Sequence, residues 1–293
     1  MKKETTDRRL QITNDLMHYI YYNIDSAINL DHLSRELGVS KFHLHKIFKE
    51  EFGSNIYETI KSIRLQKAAN LLITNETSTI SEISGECGYS MQTSFIRAFK
   101  NRFSMTPKQW RKGGYETYSN AILNDISSRW EDQDLVFSLK PVIKKVPAMK
   151  MYYIRHLGYN EGIEDCWKRL QAFVLLNDFI AYKQIAVYHD NPIIVPPQQC
   201  HYIACIQTNE APDEATASFP SFTSDAGLFA EFSAQGSNSE SVLKIIQRVY
   251  HEWLPRSGFK TTTAPSFAIY DENHFLNERG DFSLKYYIPV MLT

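Results

Sequence analysis

Residues 29–40 (NLDHLSRELGVS) and 79–90 (TISEISGECGYS) are two copies of one pattern. That repetition constrains the fold of this 293-residue chain more than any other feature. At an offset of 50, Ser34/Ser84, Glu36/Glu86, Gly38/Gly88 and Ser40/Ser90 are identical, and Leu30/Ile80 and Leu33/Ile83 are equivalent apolar positions. Beyond them the offset becomes 51: Phe48/Phe99, Lys49/Lys100 and Phe52/Phe103 coincide, while Leu44/Phe95 and Lys46/Arg97 are similar. Apolar residues recur at helical spacing on both sides of each glycine. Each copy therefore reads as helix, glycine turn, serine cap, helix.

The surrounding sequence supplies more helices. Leu16, Ile20 and Ile24 fall four apart, and Thr79-x-x-Glu82 has the form of a capping box. Ile56, Ile60 and Ile63, followed by Ala68, Leu71 and Leu72, mark one longer helix ending near Thr74. The repeated unit follows the helix-turn-helix plan, in which the second helix enters the major groove of DNA. The bridging helix from Ile56 to Ile73 would be about 27 Å long at its ordinary rise. A rod of that length could hold two reading helices in successive major grooves, about 34 Å apart on one face of the duplex.

Charge points the same way. Residues 1–113 carry 17 Lys+Arg against 12 Asp+Glu, whereas residues 114–293 carry 15 against 21. A basic third joined to an acidic remainder suggests that only the first part meets a polyanion, expected here to be double-stranded DNA. With 43% apolar and 22% charged residues, disordered and fibrous classes are excluded. Four cysteines in a chain this long do not form a disulfide framework. No stretch approaches 18 apolar residues and no apolar leader follows the start, so a soluble, cytoplasmic protein with no membrane partner is expected.

After residue 112 the pattern changes. Residues 113–136 read as a polar linker opened by two glycines, with a possible short helix over Ala121–Ile126. From Phe137 onward, short apolar runs of strand character are interrupted by two helical segments, Gly162–Leu176 and Glu240–Leu254. The order is β-α-β-β twice over, which predicts a duplicated α+β domain with a groove where its halves meet. The expected organisation is an all-α tandem helix-turn-helix domain of about seven helices (1–112), a linker (113–136) and the α+β domain (137–293).

The segment Leu30–Arg111 resembles the AraC/XylS DNA-binding domain. The similarity is sharpest in IxEIxxxCGYSxxxSFIRAFKNRFSMTPKQWR, where Ser84 replaces the usual alanine and Ser104 the usual glycine. Residues 139–292 resemble the GyrI-like effector-binding domain through Gly158-Tyr-Asn, Trp167, Leu170, the His-Asp-Asn-Pro run at 189–192, the Trp-Leu-Pro-x-Ser-Gly run at 253–258 and a late Tyr-Ile-Pro. The order of the two matches Rob-type regulators. The resemblance implies a transcription regulator that binds DNA, contacts RNA polymerase and takes a small-molecule effector. No cofactor is implied.

Particular residues follow from these readings. In the first reading helix Leu44, Ile47 and Phe48 share the core face, so Lys41, Phe42, His45 and Lys46 point outward. The resemblance puts Phe42, His45 and Lys46 at base-reading positions. Phenylalanine suits a thymine methyl and lysine suits guanine or phosphate. In the second, Phe95, Ala98 and Phe99 are core, leaving Gln92, Thr93, Ser94 and Arg97 for bases and phosphates. Lys49, Lys100, Arg102, Lys108 and Arg111 are phosphate contacts or plain solvated charge, and Ser40 and Ser90 are expected to cap the two reading helices.

His43 and His45 lie about 200° apart on a helix, and Cys200 and Cys205 face opposite sides of a strand, so no metal site is expected. No nucleophile-elbow, phosphate-loop or zinc-protease pattern is present, and an enzyme is not expected. Of the 38 aromatic residues, 26 lie beyond residue 113. Trp167, Tyr202, Phe229, Phe267, Tyr270 and Tyr286 suit core packing. The resemblance places Trp167, Tyr202, Phe229 and Phe267 around an effector groove, and Ala268 where cation-binding relatives carry a glutamate. Two further readings stay open: the second domain docks a protein partner without ligand, or acts as a small-molecule hydrolase.

Overall fold

Helical periodicity in the first third and period-two alternation in the rest produce two structural units of different class. A computed structural model describes residues 2–75, 77–126, 135–188, 190–213, 216, 219–262 and 264–292. Unit 1 comprises Met1–Leu72 and Glu76–Lys112; unit 2 comprises Ile73–Asn75 and Gly113–Thr293.

Unit 1 is all helical. Its elements are α1 (Lys2–Tyr22), α2 (Leu30–Glu36), α3 (Lys41–Phe52), α4 (Ile56–Thr74), α5 (Ile80–Glu86), α6 (Gln92–Phe103) and the single turn α7 (Pro107–Gln109). A π-helical turn, Trp110–Gly114, follows α7. Leu16, Ile20 and Ile24 pack with Leu44, Ile47, Phe48 and Ile56 in one core. A second group is aromatic: Phe99 and Phe103 both pack on Trp110, whose indole donates to the Ala69 carbonyl at 3.0 Å. Between the two groups, α4 buries Ile60, Ile63, Leu65, Ala68, Leu72 and Ile73, side chains that point all around its axis. It is a core helix, as its apolar density requires.

The turns explain the glycines. Gly38 and Gly88 adopt φ of 65° and 72°, a left-handed conformation that favours glycine. A Cβ on Gly88 would lie 2.7 Å from the Arg64 guanidinium. Arg64 cannot easily withdraw, because it donates to the carbonyls of Ile24 at 2.9 Å and Ser26 at 2.6 Å. The helix ends differ. Gly53 closes α3 at φ 71°, but Ser104 closes α6 at φ 57°. A side chain at that position costs about 1 kcal/mol, so Ser104→Gly is expected to stabilise the protein by about that amount. The urea midpoint measures it. An unchanged or lower midpoint would show that Ser104 is unstrained.

Unit 2 opens with α8 (Tyr115–Ile126), which occupies half of the segment read as a linker and extends beyond the short helix expected there. Its Tyr115 ring packs edge-on against His251 at 4.9 Å, and Asn120 accepts from Gln247 at 2.7 Å. Residues 127–134 and His189 lie outside the described residues. The strands are β1 (Val136–Phe137), β2 (Val142–Val146), β3 (Lys150–Leu157), β4 (Tyr182–Tyr188), β5 (His201–Thr208), β6 (Ser221–Thr223), β7 (Gly227–Ser237), β8 (Phe259–Thr261), β9 (Ser266–Glu272) and β10 (Asp281–Leu292). Helix α9 is Gly162–Leu176 and α10 is Ser239–Arg248, continued by a π-turn over Val249–Trp253. The sheet runs β1-β7-β10-β9-β4-β5-β3-β6, with β2 also on β7 and β8 on β10.

This is the β-α-β-β duplication: β3-α9-β4-β5 and β7-α10-β9-β10, joined antiparallel where β4 meets β9. Strands β1, β2, β6 and β8 are additions at the margins that the alternation did not reveal.

Candidate nucleic-acid interface and effector pocket

The two reading helices present the expected faces. Helix α3 begins at Ser40, whose hydroxyl accepts from the His43 amide at 3.1 Å. Leu44, Ile47 and Phe48 are buried beneath it. Phe42 is 81% exposed, an unusual state for so large an apolar side chain, and Lys46 is exposed one turn further on. On α6, Phe95 and Phe99 are buried, Ala98 is half-buried, and Gln92, Thr93, Ser94 and Arg97 are all exposed.

Other side chains have different partners. Lys41 is half-buried and bonds Asp31 at 3.1 Å, a contact that raises its pKa, so part of its charge is already answered within the fold. His45 is half-buried and packs at 5.5 Å on Tyr57, an exposed α4 residue that the reading by faces overlooked. Arg111 donates to the Leu72 carbonyl at 3.3 Å and Arg102 lies over the Phe103 ring. Lys49, Lys100 and Lys108 are exposed.

The expected cap at Ser90 is corrected. Helix α6 starts at Gln92 with Met91 as its N-cap and no side-chain cap bond. One extra residue separates α5 from α6 compared with α2 from α3, which is why the offset of the repeat changes from 50 to 51. The capping box at Thr79 is formed: Thr79 accepts from the Glu82 amide at 3.1 Å and Glu82 from the Thr79 amide at 2.7 Å. Those bonds hold the Glu82 carboxyl below its usual pKa.

In unit 2 the four residues expected to line one groove separate into two pairs. Trp167 of α9 donates to the Tyr202 hydroxyl at 3.0 Å and packs edge-on with Tyr270. Phe229 and Phe267 meet at 5.1 Å, and Phe267 stacks on Tyr287 at 4.5 Å. The pairing register explains the split. Tyr202 is opposite Tyr188, and Tyr188 is opposite Ser266, so all three share the face that also carries Ala268 and Tyr270. Phe267 is one residue out of phase and belongs to the other face, packed with Ile185, Val187 and Cys205. The single four-residue groove is therefore not formed.

What the helix-covered face holds instead is a cluster of phenols. Tyr188, Tyr202, Tyr270 and Tyr286 are buried with Trp167, and burial pushes all four hydroxyls well above the usual phenol range. Tyr159 stacks parallel to Tyr188 at 6.5 Å. Helix α10 contributes through Tyr250, beside Tyr286 and Ser266. Beside the cluster, His201 bonds Asp190 through Nδ1 at 2.7 Å and through its amide at 2.9 Å. Tyr159 is read from sequence only as part of the Gly158-Tyr-Asn motif, and Tyr188 and Tyr250 are not singled out there. Even spacing within a strand marks Ala268 and Tyr270 as one face, but no such signal links residues on different elements.

All four cysteines are buried thiols, and burial pushes Cys87 up to about 12. Among the described residues no group of three or more His, Cys, Asp or Glu is placed to hold a metal ion. Nor is any helix among them long and apolar enough to cross a membrane.

Comparison with known proteins matches residues 139–291, just over half of the chain, to the GyrI-like small molecule binding domain. Residues 33–113 match a helix-turn-helix domain. The xylose operon regulatory protein of Escherichia coli is 40% identical over 95 residues, which are 32% of this chain and 24% of that protein. The probable transcription factor PqrA of Proteus vulgaris is 32% identical over 105 residues, 35% of this chain and 85% of its own length. The transcriptional regulator Rob of Salmonella typhimurium is 33% identical over 101 residues, 34% of this chain and 35% of its own. The matched part thus spans about a quarter of the first of these relatives and a third of the last.

Proposed function

The chain belongs to the AraC-type helix-turn-helix family and carries a GyrI-like small molecule binding domain behind the DNA-binding part, and from this premise we propose that it is a sequence-specific transcription regulator. One observation carries the reading. The two halves of unit 1 expose matching sets, Phe42 and Lys46 on α3 and Gln92, Thr93, Ser94 and Arg97 on α6, over separately packed cores. The side chains suit the edges of bases: arginine and lysine for guanine, glutamine for adenine, phenylalanine for a thymine methyl. His45 supports the first helix from beside Tyr57, and Lys41 contributes to the positive field rather than to base reading.

A small molecule bound at the phenol-lined face would favour one arrangement of the protein, and so change DNA affinity or contact with RNA polymerase. This reading implies a cytoplasmic protein that does no chemistry on its ligand. The phenols of that face are neutral, and Ala268 offers no acid–base group.

Selection of duplexes from random DNA by the full chain tests the proposal. The expected product is one motif in two parts, spaced by about one helical turn, with protection over two adjacent major grooves. Recovery of unrelated sequences would sink it.

A further inference from the structure

The repeat of unit 1 extends past the ends of α3 and α6. At its offset of 51 it sets Gly53 against Ser104, Asn55 against Thr106 and Tyr57 against Lys108. Gly53 and Ser104 both close their helices in the left-handed region, and their amides return to the carbonyls of Lys49 and Lys100, which are themselves a matching pair. Asn55 and Thr106 then open the next element in the same way. The Asn55 side chain accepts from the Glu58 amide at 2.9 Å, and Thr106 accepts from the Gln109 amide at 3.2 Å. Ile56 and Pro107, the residues after these caps, are both buried. The first turn of α4 and the single turn α7 are thus two copies of one local structure. Tyr57 and Lys108 occupy matching places in them.

Both side chains are exposed. Tyr57 is 58% exposed, packs one side of its ring on His45, and its hydroxyl makes no hydrogen bond among the described residues. The turn that carries it is fixed, because the Thr59 hydroxyl donates to the Asn55 carbonyl at 3.1 Å and lies 2.8 Å from that of Ser54. Its position beside α3 determines what it meets. Phe42 and Lys46 centre the outward face of that helix, and His45 is turned about 100° from Lys46, on the side where Tyr57 stands. A helix with its side chains is about 10–12 Å across and the major groove about 12 Å wide. With Phe42 and Lys46 towards the bases, the His45–Tyr57 flank therefore faces a wall of the groove, which is built of phosphates. A tyrosine hydroxyl is a suitable donor to them. Lys49, one turn beyond His45, and Lys61, one turn beyond Tyr57, are exposed and add positive charge. Of the nearby carboxylates, Asp31 is bonded by Lys41 and Glu50 by Arg9, and Glu58 is turned about 100° from Tyr57 around α4.

We propose that the Tyr57 hydroxyl donates to a backbone phosphate bordering the first half-site, as the counterpart of the Lys108 ammonium at the second. The inference rests on unit 1 reading DNA through α3 and α6, and adds a contact that fixes α3 in its groove without reading a base.

Titrations of the full chain test it, on the selected duplex, on a scrambled one, and on selected duplexes carrying one uncharged methylphosphonate at each backbone position in turn. Tyr57→Phe keeps the ring on His45, so its Tm should be unchanged. It is expected to bind the selected and scrambled duplexes about three- to tenfold more weakly. At one backbone position the methylphosphonate is expected to cost the wild type about threefold more affinity than it costs Tyr57→Phe. The position coupled in the same way to Lys108→Ala should lie about 10 base pairs away. Tyr57→Lys, which copies the second half into the first, is expected to bind both duplexes more tightly and to steepen the fall of log affinity with log salt by about 0.9. Wild-type affinity in Tyr57→Phe, or equal losses in wild type and variant at every methylphosphonate position, overturns the proposal. A changed preference at a base pair overturns it as well, since Tyr57 would then read a base. Failure of the wild type to prefer the selected duplex removes instead the DNA-reading premise.

Discussion

Arg97→Ala lowers affinity for the selected DNA site by about 1–3 kcal/mol and relaxes the sequence preference at the base it reads, and Lys46→Ala does the same at the other half-site. Both side chains are exposed, on the outer faces of α6 and α3, and among the described residues neither makes a hydrogen bond or ion pair that would be lost. Stability should therefore be unchanged. The two positions are equivalent at the 51-residue offset of the repeat, so the effects should appear in different halves of the motif. Lys108, exposed on α7, is the control. Lys108→Ala weakens binding about equally on all sequences and makes it less sensitive to salt, as loss of a phosphate contact does. Titrations of the selected and a scrambled duplex at two salt concentrations separate these outcomes. Undiminished discrimination in both recognition-helix variants would remove the basis for assigning α3 and α6 to the major groove.

Acid should destabilise unit 2 well before its carboxylates titrate. Burial pushes His251 down to about 4, against the partial opposition of Glu116 and Glu252, and pushes His274 down to about 4 as well. The native protein therefore holds both rings neutral, whereas in the unfolded chain they take protons near 6.5. As pH falls from 6.5 towards 4 the unfolded state binds more protons than the native one, and stability falls with it. By pH 5 each histidine has withdrawn about 2 kcal/mol, approaching about 3 kcal/mol at pH 4. The window between pH 6.5 and 5 isolates the effect, since ordinary carboxylates are still ionised there. The double variant His251→Gln, His274→Gln is expected to flatten the dependence in that window, read as the urea midpoint against pH. An equally steep slope in the variant would assign the acid sensitivity elsewhere. His251 packs on Tyr115 at the start of α8, so its protonation is also expected to loosen α8 from α10.

Much of this molecule was legible in the sequence because its evidence is local. The helical spacing of Leu44, Ile47 and Phe48 names their buried face without reference to the rest of the chain, and the exposure of Phe42 and Lys46 follows. The capping box of Thr79 and Glu82 closes within four residues. Helix α9 occupies the span its apolar pattern marks, Gly162–Leu176. Less legible were contacts between elements. Asp31 answering Lys41, Tyr57 beneath His45 and Leu72 holding Arg111 each depend on which neighbours the fold brings close.

The sequence by itself determined the tandem helix-turn-helix, the duplicated β-α-β-β order and the outward faces of both reading helices, since repetition and periodicity are properties of one segment at a time. Only the tertiary structure decided where α6 begins, because one extra residue in its turn moves the start past Ser90 to Gln92. It alone decided the candidate pocket as well. Alternation sorts the residues of one strand into two faces, but which face of β9 aligns with which face of β5 is fixed by the register of β4 between them. That register puts Ala268 beside Ala186 and Ala204 under α9 and turns Phe267 to the far side with Phe229. A one-residue shift would have exchanged them, because in a pleated strand every step of one residue reverses the side chain.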